Sequence, residues 1–569
     1  MASLLLVTLL SGLLVHIREA RFLPSSNVID GPTHAQSIQA RHGAVASENQ
    51  RCSLIGVDIL KAGGNAVDAT IGATLCVGVV NMFSSGIGGG GYITVRIPPS
   101  AGQNHSEAWT IDFRETAPAL ANKTMFVANN ESSMYGGLAV GVPGELKGLE
   151  EAHRRWGRLP WARLVQPSVL LAQGWKVDHE LGRRIPLYAD LMLNNPDWRS
   201  IFAPQGVLLK EGDPIQRVNL SRTLAIIAAQ GTDPFYKGSI GHSIVAKARS
   251  TGGVLSKADL ENYSVIVTRA LEGTYNGQRI MTTHAPTSGP ALLHMFNLLE
   301  HFNMTVRDGL STHRLVEAIK YGFAARTKIC DPASDDDSDR IAQISTKQYA
   351  AQIVGNITDT AHPPDYYDPA YDVRPDHGTS HVSVIDKDGM AVGLTSTVNL
   401  VFGSQVLDPF TGIILNDEMD DFTVPGRPNS AGMWPSPYNY PEPNKRPLSS
   451  ITPIIVEHPN GTLYVSIGGA GGTRIFGSVF QTFLNLNHWG LDVGQAIEFG
   501  RMHSPLYPSI VEVDSTYPPE LVNDLKARGH NVTVADIHRT AAAVEGAMKQ
   551  GEMLYAASDP RKSGMAAGY

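Results

Sequence analysis

The run Gly378-Thr379-Ser380-His381-Val382-Ser383-Val384-Ile385-Asp386-Lys387-Asp388-Gly389-Met390-Ala391-Val392-Gly393-Leu394-Thr395 reads as two strands about a tight turn. His381–Ile385 and Met390–Thr395 alternate in polarity, and Asp386-Lys387-Asp388-Gly389 supplies turn residues, a hairpin signal. Ile454–Val456 and Thr462–Ile467 repeat the pattern around Asn460-Gly461. Upstream the text is different. Ser53–Lys61 reads as a helix stopped by Gly63-Gly64, and Asn65–Val80 as a second, buried helix. Tyr92–Arg96 and Trp109–Phe113 read as strands, and residues 140–335 as mainly helical, with Glu145–Trp156, Leu224–Gln230 and His313–Lys328 as examples. Residues 355–377 are acidic, proline-rich and aperiodic, which predicts an exposed loop or tail. No repeat of fixed period is present. Helices around antiparallel strands predict an α+β sandwich rather than a doubly wound sheet.

The 569 residues are 42% apolar and 18% charged, so a large core is possible and disorder is excluded as the dominant state. The net charge is −8 and no long Lys/Arg cluster occurs, which argues against nucleic acid as a partner. Leu4–Val15 is apolar but shorter than the ~20 residues needed to span a membrane. Residues 1–20 are therefore read as a secretory signal peptide or a short signal-anchor. Nine N-x-S/T sequons support a eukaryotic secretory route: Asn104, Asn122, Asn130, Asn219, Asn262, Asn303, Asn356, Asn460 and Asn531. Chance predicts about three, and a glycan cannot be buried, so all nine are expected to face solvent. In an oxidising compartment two of the three cysteines can pair. Cys52 and Cys76 flank an apolar helix-like stretch and are the expected pair; Cys330 is expected to be buried and inert. There is no CxxC and no His/Cys cluster of metal spacing.

Several stretches carry a possible chemistry and a blander alternative. Gly86 to Gly91 resembles a dinucleotide fingerprint, but these glycines precede a strand instead of following one, so a crowded backbone turn is the better reading. Asp376-His377-Gly378-Thr379-Ser380-His381 joins the proline-rich segment to the first hairpin, where composition alone makes Thr379 a linker residue. Asn416-Asp417-Glu418-Met419-Asp420-Asp421-Phe422 would normally be a solvated acidic face. It lies instead between apolar Ile413–Leu415 and Phe422, which can force a carboxylate into a cleft. Pro447-Leu448-Ser449-Ser450 and Gly468–Thr473 add polar loops at strand ends.

In their order and spacing these motifs closely resemble the gamma-glutamyltransferase (glutathione hydrolase) family of N-terminal-nucleophile hydrolases. The likeness runs from about Ala40 to Tyr569. It includes Gly63–Ala69, Ser85–Gly90, Arg114-Glu115-Thr116-Ala117-Pro118, Gly141–Gly144, Gly378–His381, Thr395–Asn399, Asn416–Phe422, Pro447–Ser450, Gly468–Thr473 and Ala557–Lys562. The resemblance implies an αββα sandwich of two stacked, mainly antiparallel sheets flanked by helices. It implies a precursor that cuts itself between Gly378 and Thr379, leaving a large subunit (21–378) and a small subunit (379–569) associated as one structural domain. Thr379 is then the nucleophile, with its own freed α-amine as base, and Thr397 orients it. Arg114, Ser449 and Ser450 match a clamp for the α-carboxylate of a glutamyl group. Asn399, Glu418 and Asp421 match a clamp for its ammonium, and the N–H groups of Gly471 and Gly472 match an oxyanion hole. The implied substrates are glutathione and other gamma-glutamyl compounds, with water, amino acids or dipeptides as acceptors. No metal or cofactor is implied. The location is expected to be secreted, cell-surface or vacuolar.

Two other functions fit parts of the sequence. A glutaryl-type N-terminal-nucleophile acylase would need no ammonium clamp, so the Glu418/Asp421 pair argues against it. An unprocessed, non-catalytic homologue would not need Gly378-Thr379, Thr397 and Gly471-Gly472 intact.

Overall fold

The computed structural model describes residues 34–100, 105–334, 338–375, 378–430, 432–536 and 542–569. The expected leader at 1–20, Asn104 and the pair Asp376-His377 lie outside the described residues.

Fourteen strands form the two large sheets. In chain order they are β1 (Ile38–Ala40), β2 (Gly43–Ser47), β3 (Gly90–Ile97), β4 (Glu107–Phe113), β5 (Ile266–Arg269), β6 (Leu271–Tyr275) and β7 (Gln278–Thr282). After these come β8 (Gly378–Asp386), β9 (Ala391–Asn399), β10 (Ile454–Glu457), β11 (Leu463–Ala470), β12 (Ala543–Gln550), β13 (Met553–Ser558) and β14 (Ala567–Gly568). One sheet runs β14-β2-β8-β9-β3-β4-β5 and the other β1-β13-β12-β11-β10-β7-β6, every pair antiparallel. Each sheet takes strands from both sides of Gly378.

The first hairpin is β8 and β9, in the middle of its sheet. Its alternation does not separate core from solvent, because both faces are buried. Val382 and Val384 face the helix layer, while Ile385 joins an alanine-rich layer between the sheets with Ala44, Ala391, Ala547 and Ala556. By the two-residue period of a strand, Thr379, His381 and Ser383 share the inter-sheet face with Ile385.

Three helices cover the outside of this sheet: α1 (Gln50–Lys61), α2 (Ala66–Val80) and α3 (Glu145–Trp156). α1 ends before Gly63, whose φ of +96° only glycine adopts freely. Asn65 caps α2 and Asp68 completes a capping box. α2 is apolar all round and almost wholly buried, as its sequence predicted. The other sheet is covered by α4 (Gly289–Leu299) and α6 (Ile475–His488), with α5 (Gly309–Arg326) packed on α4. Helices therefore sandwich two stacked antiparallel sheets.

Cys52 and Cys76 form a disulfide joining α1 to α2, with Cα atoms 5.3 Å apart. Cys330 is buried and lies outside it. The glycine run serves close packing against β9 and against the segment at Ile413 and Ile414. A Cβ on Gly88 would meet Ile414 O at 2.0 Å, on Gly89 Thr397 O at 1.9 Å, and on Gly91 Thr395 O at 2.0 Å.

One expectation gains detail and two are corrected. The mainly helical stretch contains β5, β6 and β7; Asn276-Gly277, both at positive φ, turns β6 into β7 and is a hairpin signal within that stretch. The 355–377 segment is not simply an exposed loop. Tyr367 is buried beside Tyr321 and donates to Glu317 at 2.8 Å. Of the described sequons, Asn122, Asn130, Asn262, Asn303, Asn356, Asn460 and Asn531 are exposed. Asn219 is half-buried, because its Nδ2, where a glycan would attach, donates to Pro409 O at 2.7 Å.

Candidate active site

Thr379 stands at a break in the β8–β9 ladder. Gly378 pairs with Asn399 and Ser380 with Ser396, so Thr397 and Val398 together oppose the single residue Thr379. Such a bulge re-aims side chains. Thr397 Oγ1 donates to the Gly378 carbonyl at 2.6 Å and accepts from Asn399 N–H at 2.7 Å. Asn399 holds φ at +69°, a left-handed conformation asparagine tolerates. Its Nδ2 donates to Asp417 O at 3.2 Å. The Gly471 N–H donates to Thr379 Oγ1 at 3.0 Å. Gly471 and Gly472 have φ of +140° and +61°. This is a glycine turn at the head of α6, and consecutive N–H groups in such turns favour developing negative charge.

The acidic run is a short 3-10 turn, Glu418–Asp421, fully buried between Leu415 and Phe422. Arg114, at the end of β4, forms ion pairs with both Glu418 and Asp421. It also donates to the Pro447 carbonyl at 3.4 Å and the Leu448 carbonyl at 3.0 Å. Ser449 and Ser450 follow directly and are buried. The sequence-predicted residues thus form one connected set, from Gly471 through Thr379, Gly378, Thr397, Asn399 and the Asp417–Asp421 turn to Arg114 and Leu448. Burial works against the Arg114 charge, but Glu418 and Asp421 outweigh it and hold the guanidinium above its usual range. Burial pushes Glu115 up to about 8, so it is mostly protonated at neutral pH.

The loop after this turn, Met433–Arg446, braces the site from outside. Asn439 Nδ2 donates to Asp421 O at 2.7 Å, and Tyr438 packs edge-on to Tyr371.

The groups behind Thr379 have no role assigned from the sequence. Lys562 donates to the Thr379 carbonyl at 2.6 Å, and Glu48 accepts from Ser380 Oγ at 2.8 Å. Glu145 accepts from Ser396, and burial pushes its carboxyl up to about 7. Nothing in the local text marks Glu48; Lys562 lay within a matching motif without an assigned role. His381 is structural: its ring bridges Thr395 Oγ1 and Ser383 Oγ at 2.8 and 2.9 Å, and burial lowers its pKa to about 3.

One buried cluster has metal-ligand chemistry that sequence spacing missed. His313, Glu317 and His530 bring donor atoms within 4.8 Å of one another. The Lys320 ammonium bonds Glu317 at 3.1 Å and His530 at 3.3 Å, so the chain's own cation fills the cluster.

The gamma-glutamyltranspeptidase family model matches residues 52–569. Among curated proteins, glutathione hydrolase proenzyme 1 of Schizosaccharomyces pombe is 41% identical over 544 residues, covering 94% of this chain and 85% of that protein. The glutathione hydrolase proenzyme of Arthroderma benhamiae is 40% identical over 544 residues, covering 92% and 91%. Among solved structures, the cephalosporin acylase from Bacillus halodurans superposes with a TM-score of 0.82 at 23% identity, covering 97% of this chain and 99% of that one; at that identity the likeness speaks for the fold alone. With the sandwich, the threonine at the strand break and a family match over nearly the whole length in agreement, this chain belongs to the gamma-glutamyltranspeptidase family.

Proposed function

We propose that this chain is a self-processing gamma-glutamyl transferase and glutathione hydrolase. The observation that carries this reading is the double hold on one peptide bond. The Thr379 hydroxyl rests on the Gly471 N–H, and the carbonyl it would attack accepts from Thr397.

In processing, Thr379 Oγ1 adds to the Gly378 carbonyl carbon. The C–N bond breaks, leaving an ester on Oγ1 and a free Thr379 amine. Water hydrolyses the ester, giving the Gly378 carboxylate and the free hydroxyl. The amine, ordinarily of pKa about 7.7–8.0, then serves as base. It takes the Oγ1 proton as Oγ1 adds to the gamma-carbonyl of glutathione. Gly471 and Gly472 stabilise the oxyanion. Collapse expels cysteinylglycine, whose amine takes the proton back, and leaves gamma-glutamyl-Thr379. Water or an amino-acid or dipeptide amine then accepts the glutamyl group.

The Arg114 cluster fits the glutamyl head, which carries a carboxylate and an ammonium on one carbon. Arg114 with Ser449 and Ser450 takes the carboxylate; Glu418, Asp421 and Asn399 take the ammonium. Binding exchanges the direct Arg114–acid pairing for two pairings through the substrate. The buried acids favour this over the glutaryl-acylase reading, since a glutaryl group offers them no cation.

Both products of the cut contribute strands to both sheets, which supports large (21–378) and small (379–569) subunits that stay together. Seven exposed sequons and the disulfide support a secretory route. Among the described residues no helix is long and apolar enough to cross a membrane. The test is Thr379→Ala. We expect one uncut chain on a denaturing gel, where the wild type gives a large and a small band, and no gamma-glutamyl-anilide hydrolysis. A variant still cut after Gly378 would refute the nucleophile.

A further inference from the structure

Lys562 and Glu48 converge on the nucleophile from opposite ends of the chain. Lys562 Nζ donates to the Thr379 carbonyl at 2.6 Å and to Glu48 Oε1 at 3.0 Å. Glu48 Oε2 accepts from Ser380 Oγ at 2.8 Å, and Ser380 Oγ also meets Ser84 Oγ at 2.8 Å. The Glu48 side chain has no exposure and that of Lys562 13%. A buried ion pair is seldom explained by stability, because apolar side chains fill the same space at least as well. This pair is tied to the backbone on the C-terminal side of the cut.

We propose that Glu48 and Lys562 are positioning residues of Thr379: they hold its backbone once the Gly378 peptide is cut, and their opposed charges set how readily its freed amine acts as a base. The proposal rests on the reading of Thr379 as a terminal nucleophile.

In the uncut chain Thr379 is fixed from both sides, by Gly378 paired with Asn399 and Ser380 paired with Ser396. Cleavage removes the first hold. The Lys562 bond to the Thr379 carbonyl remains, together with Ser380, which Glu48 and Ser84 secure.

The charge effect follows from proximity. The backbone N and O of one residue lie within about 4 Å of each other, so Lys562 Nζ is within about 6.5 Å of the amine. A cation there disfavours a second one. Partly offset by Glu48, the expected effect is about one pH unit at an effective dielectric of 20.

Other charged groups face the same place. Glu180, held by Arg184 and Arg183, faces Lys562, and burial keeps Glu545 of β12 well above the carboxylate range. Glu145 lies behind Ser396, and Arg114 with its two acids belongs to the proposed substrate pocket. Glu545 responds to both members of the pair, since the Glu48 charge raises its pKa and the Lys562 charge lowers it. Its response damps the loss of Glu48 by adding a negative charge, without reversing the sign, so removing Glu48 and removing Lys562 act with opposite signs.

The experiment is the pH profile of kcat/KM for a gamma-glutamyl anilide in wild type, Glu48→Gln, Lys562→Met and Lys562→Arg. The acid limb reports the free base. It should move down by about one unit in Glu48→Gln, where the Lys562 field is unopposed, and up in Lys562→Met. Lys562→Arg, which keeps the charge, should stay near wild type. Limbs that stay put, or that move the same way in Glu48→Gln and Lys562→Met, overturn the proposal. If Lys562→Met does not mature, an unmoved limb in Glu48→Gln overturns it and a lowered limb supports it. Loss of the parent reading looks different: the wild type then lacks gamma-glutamyl hydrolysis, or Thr379→Ala is still cut.

Discussion

Thr397→Val should slow self-cleavage about 10²–10³-fold. Valine keeps the branched shape and strand preference of threonine, so the change removes little besides the hydroxyl. That hydroxyl donates at 2.6 Å to the Gly378 carbonyl oxygen, the atom that would gather negative charge in the proposed attack by Thr379. One such donor contributes ~2.7–4 kcal/mol in a transition state, which sets the fold-change. A second effect has to be separated from it. Thr397 Oγ1 also accepts from the buried Asn399 N–H, and leaving that donor unpaired costs about 1–3 kcal/mol of stability. Stability changes the amount of folded precursor; it does not change how fast folded precursor converts. The assay is therefore the time course of precursor conversion on denaturing gels, normalised to folded protein by circular dichroism. Thr397→Ser, which restores the hydroxyl, should recover most of the rate. Conversion of Thr397→Val at the wild-type rate would mean that the Gly378 carbonyl is not activated by Thr397.

Arg114→Lys should mature normally yet raise KM for glutathione at least about tenfold, because lysine lacks the planar fork that meets a carboxylate in two places; an unchanged KM in the matured variant removes Arg114 from the pocket. Asp421→Ala should mature and lose about 10²-fold or more in kcat/KM for gamma-glutamyl anilide, since a buried charge loses its partner. It should also lose most of the wild-type preference for gamma-glutamyl over glutaryl anilide; the same ratio in both proteins would mean that Asp421 does not read the amine. Cys52→Ser with Cys76→Ser opens a link across 24 residues and should lower resistance to denaturant by about 3 kcal/mol, measured as a lower midpoint at constant slope. An unchanged midpoint would show that the α1–α2 packing alone sets stability there.

Much of the fold was legible because its signals are local. The glycine stop after α1, the apolar run of α2 and the alternation and turn residues of the β8–β9 hairpin all lie within the element they specify or a few residues from it. The partners behind Thr379 were not legible, because they are matters of tertiary contact. Glu48 precedes Lys562 by more than 500 residues, and a lone glutamate after a strand looks like any other until the sandwich closes. The same holds for Asn219, whose sequon is intact while its amide is taken by Pro409. For the candidate site, the family resemblance that the ordered motifs carry was enough to name Arg114, Glu418 and Asp421. That the three contact one another directly could not be read from spacing, since Arg114 lies 304 residues from Glu418.

The hairpin shows how one pattern can carry two meanings. Alternation in Val382-Ser383-Val384 ordinarily separates core from solvent. In β8 the polar set faces the second sheet instead: His381 bonds Thr395 and Ser383 of its own sheet, and Ser383 donates across to Glu545 O at 3.2 Å. Room for the imidazole exists because Gly468 on the facing β11 has no Cβ; one added there would sit 2.1 Å from the ring. The same two-residue step that places His381 between the sheets places Thr379 at their edge, where β11 gives way to the Gly471-Gly472 turn. The proposed nucleophile therefore needs no loop of its own. It is the first inward-facing residue of a central strand whose remaining ladder, from Ser380 to Ile385, does not depend on the peptide proposed to be cut. The proposed self-cleavage would free the Thr379 amine without unfolding the strand that carries it.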